Sequence, residues 1–242
     1  MSRVAGAGPG GGAVRPKALV FDVNETLSDM APLAQRFTDV GAPGHLSATW
    51  FASLLRDGFA LTAVGVNPRF ADLGRTLLAA RLRGQVEDVE GAVEHVMTGF
   101  GGLSTHPDVV PGIRRLAGLR IRLLTLSNGS ATVAEGLLSR AGIRDSFEAL
   151  LSVEDAPLWK PAPSAYAYAV ETAALTPAEC MLVAVHPWDI DGAHRAGLRT
   201  AWVNRGGGRY PDHFSSADLE VASMTELAAQ LARLDGLDAV GD

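Results

Sequence analysis

The chain is poor in three things, and each shortage excludes something. It has one cysteine in 242 residues, Cys180, so no internal disulfide can form, which matches a reducing compartment such as the cytoplasm. Cys180 opens the apolar stretch Cys180-Met181-Leu182-Val183 and reads as a small buried residue. No apolar run approaches the roughly 18 residues that a membrane-spanning helix needs. Basic surplus is also missing: 21 Lys and Arg stand against 27 Asp and Glu, a net charge of −6. Nucleic-acid binding calls for a basic face, so that class is set aside. The Gly/Ala/Pro-rich start, Met1 to about Val14, lacks a continuous apolar segment and reads as a disordered leader (1–14), not a signal peptide.

What is present suits an α/β domain carrying a modest insertion, with 47% hydrophobic residues to bury. Lys17-Ala18-Leu19-Val20-Phe21 is a short apolar run ending at Asp22, as expected of a central strand in a parallel sheet. From about Met30 to Leu103 the spacing turns helical, over Ala31–Val40, Ala48–Asp57, Phe70–Arg83 and Val86–Phe100, with breakers between. Strand and helix then alternate. Strands are predicted at Ile121–Leu126, Ala149–Val153, Met181–Val185 and Arg199–Val203. Helices are predicted at Gly129–Ala141, Pro163–Ala174, Ile190–Ala196 and Met224–Leu234. The expected architecture is a doubly wound, Rossmann-like parallel sheet (15–29 and 104–235) with a helical cap (30–103) inserted after the first strand.

In such sheets reactive groups gather beyond the carboxyl ends of the strands. Asp22, Ser127-Asn128, Lys160 and His186–Asp189 all fall there, far apart in sequence but brought to one crevice by the fold. A strand-end carboxylate can attack carbon or phosphorus covalently; alone, it is more often a turn or capping residue. Ser127-Asn128-Gly129 opens a helix, which makes either an anion-binding nest or an ordinary N-cap. Lysine occurs only at Lys17 and Lys160 in a chain that otherwise uses arginine. Keeping Lys160 in the proline-bounded loop Trp159-Lys160-Pro161-Ala162-Pro163 points to a need for a compact ammonium. His186 is a general base near neutrality or a plain loop histidine. Asp189 N-caps the next helix, a role compatible with orienting Lys160 or a water.

Taken together, Asp22 with Thr26 downstream, Ser127, Lys160 before Pro161, and Asp189 resemble the four motifs of the haloacid dehalogenase-like hydrolases, in order, from Lys17 onward. Departures choose the branch. Phosphatases of this superfamily have a second Asp where Asn24 stands, and a Mg²⁺-binding Asp that would fall at Val185; valine offers a hard cation no oxygen. The phosphonate-cleaving branch needs a cap lysine, and this cap has none. The remaining resemblance is to the L-2-haloacid dehalogenases, which need no metal or cofactor. It implies a small carboxylic acid as substrate, neither nucleic acid nor membrane as partner, and a homodimer as the assembly to test.

By that resemblance Asp22 displaces halide to give an ester, and water activated near Asp189 and Lys160 hydrolyses it. Thr26 and Lys160 position the nucleophile, and Ser127 and Asn128 hold the substrate carboxylate. Asn24 or His186 assists the leaving group. Trp188, Trp50 and Phe59 either wall a dry pocket or are ordinary core. Three further departures bear on the leaving group. The arginine expected at the start of the cap falls at Ala42 or a neighbour, the expected aromatic is Asn24, and the last motif's Ser and Asn read as Ala184 and His186. Opening of a strained cyclic amino acid by the same nucleophile therefore stays beside dehalogenation. An atypical phosphatase and a non-catalytic binding protein are the remaining alternatives.

Overall fold

Ala18–Phe21 forms the first strand, β1, with all four residues buried. Such a run is stable only where both faces of a sheet are covered. In the computed structural model, which describes residues 15–238, this is what happens; the expected leader lies outside the described residues. The chain continues through α1 (Leu33–Asp39), α2 (Leu46–Ala63), α3 (Phe70–Leu82), α4 (Val89–Gly101) and α5 (Val109–Gly118). It then alternates: β2 (Arg122–Ser127), α6 (Ala131–Arg140), β3 (Ala149–Ser152), α7 (Pro163–Ala173), β4 (Cys180–Ala184), α8 (Pro187–Arg195) and β5 (Arg199–Val203). It closes with β6 (Leu219–Val221) and α9 (Met224–Asp238).

The six strands are all parallel, in the order β3-β2-β1-β4-β5-β6. Successive side chains leave opposite faces. Ala18 and Val20, with Leu124, Leu126, Leu182 and Trp202, pack into one core shared with α7, α8 and the cap helices. Leu19 and Phe21, with Leu123, Met181, Val183 and Val203, pack into a second core under α5, α6 and α9. Strand order reverses at β1, which pairs β2 on one side and β4 on the other. The crevice at that switch point, beyond the strand ends, begins at Asp22.

Helices α1–α4 form the cap inserted after β1. Its base is zipped by an antiparallel bridge between Ser28 and Thr105, flanked by Asp29 N–H to Ser104 O at 2.8 Å and His106 N–H to Leu27 O at 3.0 Å. Inside the cap Trp50 meets Phe37 and Phe100, with Leu54, Leu78 and Phe70 in the same core. Among the described residues no helix is long and apolar enough to cross a membrane.

Three elements differ from the sequence expectation. Helix α5 is not among the predicted elements and contains a Pro-Gly pair, Pro111-Gly112. Pro111 lies in its first turn, where a missing N–H costs little, and Gly112 lets α5 press on the Met224 backbone of α9. Strand β6 has only three residues, too few for a pattern to show. Helix α2 runs six residues past Asp57, through Gly58, because there it lies directly on the Trp159 ring of the core. A Cβ at Gly58 would overlap that ring. Gly58→Ala is therefore expected to destabilise the protein by about 1–3 kcal/mol, the usual cost of overpacking, despite alanine's better helix propensity. Urea unfolding followed by tryptophan fluorescence measures it, and an unchanged midpoint would refute this packing account.

Candidate active site

Asp22 follows β1 directly, and its N–H bonds to Val183 O of β4 at 3.0 Å. The carboxylate is 4% exposed and accepts three side-chain hydrogen bonds. Thr26 Oγ1 donates to Oδ2 at 2.7 Å while accepting from Val185 N–H at 3.1 Å, so one hydroxyl joins the two strand ends. Lys160 Nζ donates to Oδ1 at 2.9 Å, and His186 Nδ1 donates to Oδ2 at 3.2 Å. Burial alone would raise this carboxyl's pKa. Lys160, His186 and Thr26 outweigh burial and hold it well below the usual carboxylate range. Asp22 is thus an anion poised at the crevice.

Lys160 is completely buried. Its ammonium spans the two carboxylates, with Asp189 Oδ2 at 2.6 Å. Its backbone is fixed by Asn128, which accepts from Lys160 N–H at 3.0 Å and donates to Lys160 O at 3.2 Å. Asp189, also fully buried, takes a second bond from the Tyr166 hydroxyl at 2.7 Å. Burial pulls the ammonium towards neutrality, but Asp189 and Asp22 outweigh it and raise its pKa. Burial and the nearby Asp22 charge outweigh the pull of Lys160 and raise the pKa of Asp189 as well. A phosphatase-type Mg²⁺ site does not fit this arrangement. Lys160 already neutralises the facing carboxylates, and Val185 and Asn24 supply no carboxylate ligand.

His186 sits between two anions. Its Nδ1 points at Asp22, and its Nε2 donates to Glu25 Oε2 at 2.8 Å. Carboxylates only accept, so both ring nitrogens carry protons and the ring is an imidazolium. Burial works against that charge, but the bonds to Asp22 and Glu25 outweigh it and raise the pKa to about 9. Beside this pair opens a cavity of about 570 Å³, lined by His186, Glu25, His106 and apolar residues including Met30, Leu33, Phe51 and Leu55.

The structure thus brings Asp22, Thr26, Lys160, Asp189 and His186 into one hydrogen-bonded cluster. Ser127 ends β2 beside it; its hydroxyl accepts from Gly129 N–H at 2.9 Å, leaving the hydroxyl proton for a further acceptor. Asn24 is buried near Gly129. Trp188 stacks on His186, with ring centres 5.1 Å apart, and meets Phe59 of the cap edge-on at 4.8 Å.

Three readings need correction. Trp50 does not wall the site: it is wholly buried in the cap, with its indole N–H on Gly74 O at 2.9 Å, because its large ring fills the space between α2, α3 and α4. Asp189 is not the cap of α8. His186 holds that position and Pro187 opens the helix, so Asp189 turns inward at the third residue. The Asn128 side chain braces the Lys160 backbone, which ties up both ends of its amide. Sequence reasoning also missed Tyr166, Glu25 and His106. Tyr166 carries no signal beyond lying one turn into the helix after Lys160, and Glu25 stands inside the first motif without a chemical cue of its own.

The haloacid dehalogenase-like hydrolase family model matches residues 16–197. The chain is 29% identical to (S)-2-haloacid dehalogenase 4A of Burkholderia cepacia over 90% of this chain and 95% of that one. It is 31% identical to the (S)-2-haloacid dehalogenase of Xanthobacter autotrophicus over 78% of this chain and 75% of that one. Among solved structures, the L-2-haloacid dehalogenase from Xanthobacter autotrophicus with chloropropionic acid covalently bound superposes with a TM-score of 0.80. That match has 25% identity and covers 90% of this chain and 98% of the other.

Proposed function

Because the chain belongs to the haloacid dehalogenase-like hydrolases, we propose that it hydrolyses 2-haloacids at the halogen-bearing carbon through an ester on Asp22. The observation that carries this reading is an ionised, buried Asp22 clamped by Lys160 and Thr26, with the second phosphatase carboxylate replaced by Asn24. The dehalogenase relatives support the same reaction class.

Asp22 attacks the 2-carbon as the carbon–halogen bond breaks, and halide leaves with the bonding pair. Water then adds to the Asp22 carbonyl carbon, the product hydroxyl departs, and the carboxylate returns. Halide, one proton and a 2-hydroxy acid are released. Lys160 neutralises charge on Asp22 throughout, Asp189 and Tyr166 hold the ammonium in place, and Ser127 takes the substrate carboxylate with help from the adjacent main chain. Asn24, Trp188 and Phe59 border the reacting groups. No metal or cofactor is required. The same reading places the enzyme in the cytoplasm, acting on a free small acid, with 30–103 as the cap, 15–29 and 104–235 as the core, and a homodimer as its assembly.

Halide release from L- and D-2-haloacids in EDTA tests the proposal. Release by the wild type from at least one enantiomer is expected. Turnover that appears only when Mg²⁺ is restored would instead select the phosphatase alternative.

A further inference from the structure

Resting on the hydrolase reading above, we propose that His186, positioned by Glu25, hands a proton to the leaving group and takes it back from water. This would extend the substrates to 2-substituted carboxylic acids whose leaving atom must be protonated. Such atoms include fluorine, and the nitrogen or oxygen of a strained ring.

Cations are scarce at the cavity. Among the described residues lining the cavity there is no arginine or lysine; the nearby basic groups are His186 and His106. The resemblance expects an arginine at Ala42 or a neighbour; Ala42 is 3% exposed and packed in the apolar core. Lys160 and Thr26 also donate to Asp22 but do not line the cavity; His186 both bonds Asp22 and lines it. Its bond to Asp22 Oδ2 is the longest of the three that the carboxylate accepts, so it yields most readily to an incoming carbon. The freed Nδ1–H then turns towards the leaving atom on the cavity side.

Glu25 makes this geometry specific. Its backbone lies in the left-handed region at φ 61°, a conformation that residues with side chains rarely adopt. His106 Nε2 donates to Glu25 O at 2.9 Å, and Ser28 Oγ accepts from Glu25 N–H at 3.3 Å, holding it there. The strained turn points the carboxylate at His186 Nε2 and leaves Nδ1 for chemistry, as the orienting carboxylate of a catalytic triad does.

The protons balance over two steps. In the first, Asp22 oxygen bonds to carbon, the carbon–leaving-group bond breaks with its electron pair, and the imidazolium protonates the leaving atom. This gives a neutral ester and a neutral imidazole. Loss of the Asp22 charge removes a main reason for the ring to stay protonated. In the second step His186 takes a proton from water as hydroxide adds to the Asp22 carbonyl carbon. The alkoxide leaves with the proton of the new Asp22 carboxyl, which restores aspartate and imidazolium. Other charged groups around the ring are Lys160, whose ammonium lies 5.9 Å from the Trp188 ring stacked on His186, Asp189 bound to that ammonium, and Asp29 across the cavity.

The test is single-turnover halide release from 2-bromopropionate, whose bromide needs no proton, and 2-fluoropropionate, with wild type and Glu25→Gln. In the wild type both halides are expected, with fluoride release falling as pH rises through about 9. Glu25→Gln should lower fluoride release at least roughly tenfold more than bromide release, a partial loss of the roughly 10²–10⁴-fold that a positioned general acid supplies. The alkaline limb for fluoride should also move to lower pH. Nitrogen NMR of His186 gives an independent reading: its titration should shift to lower pH in the variant. Equal losses for both halides, an unmoved limb, or bromide release with no fluoride release would overturn the proposal. Wild type releasing neither halide would overturn the hydrolase reading itself.

Discussion

Asp22→Asn is expected to lower turnover by about four orders of magnitude or more, since removing a covalent nucleophile leaves only binding and electrostatic effects. The amide keeps the shape, and its single oxygen can still accept from Lys160 while its NH2 faces the Thr26 hydroxyl oxygen, so the fold should survive. It cannot form the ester. A single turnover of wild type in ¹⁸O-water should place the label in the Asp22 side chain before it reaches the product, because water attacks the ester carbonyl and not the substrate carbon. Mass spectrometry of the Asp22 peptide reads this directly. Label found first in the hydroxy acid, with Asp22 unlabelled, would mean that water displaces the halide without a covalent step.

Lys160→Met should damage both stability and activity. It removes the ammonium between two buried carboxylates, Asp22 at 2.9 Å and Asp189 at 2.6 Å. Breaking a buried ion pair from one side costs about 3–5 kcal/mol, and losing charge stabilisation at the nucleophile costs roughly 10²–10³-fold in rate. The pH dependence has a definite sign. In the wild type, Asp22 is held below its unfolded pKa, so its contribution is present above the normal carboxylate range and lost as pH falls through the lowered folded value. Without Lys160 the two carboxylates repel, and protonating one relieves them. Lys160→Met should therefore lose more stability at pH 8 than at pH 5, by urea unfolding. Equal losses at both pH values would show that the ammonium acts through packing alone. Lys160→Arg is not expected to rescue, because a planar guanidinium does not fit a site sized for a point charge.

Much of the site was legible because strand ends concentrate chemistry. Asp22, Ser127 and His186 each follow an apolar run, and Lys160 stands between prolines in a chain with one other lysine. The Asp22–Lys160–Asp189 contact joins residues up to 167 positions apart; β1 and β4 are neighbours in the sheet, and Lys160 reaches them from the loop after β3, two strands away, braced by Asn128. Other features were hidden. Nothing local distinguishes Trp50, buried in the cap, from Trp188, beside His186. Tyr166 looks like any helical tyrosine until Asp189 turns inward to meet it. Glu25 reads as one polar turn residue among several until its left-handed backbone and its bond to His186 are seen together.

The parallel sheet, the place of the helical insertion and the strand-end position of Asp22 can be read from the chain alone, because hydrophobic period and strand-end position are local properties that survive without coordinates. Which aromatics pack and which border the site, which hydrogen bonds brace Lys160, and the place of His186 between two carboxylates emerge only from the folded arrangement. Those facts depend on side chains from separate elements converging to within about 3 Å, the reach of a hydrogen bond, and that convergence is a property of the folded arrangement, not of any one segment.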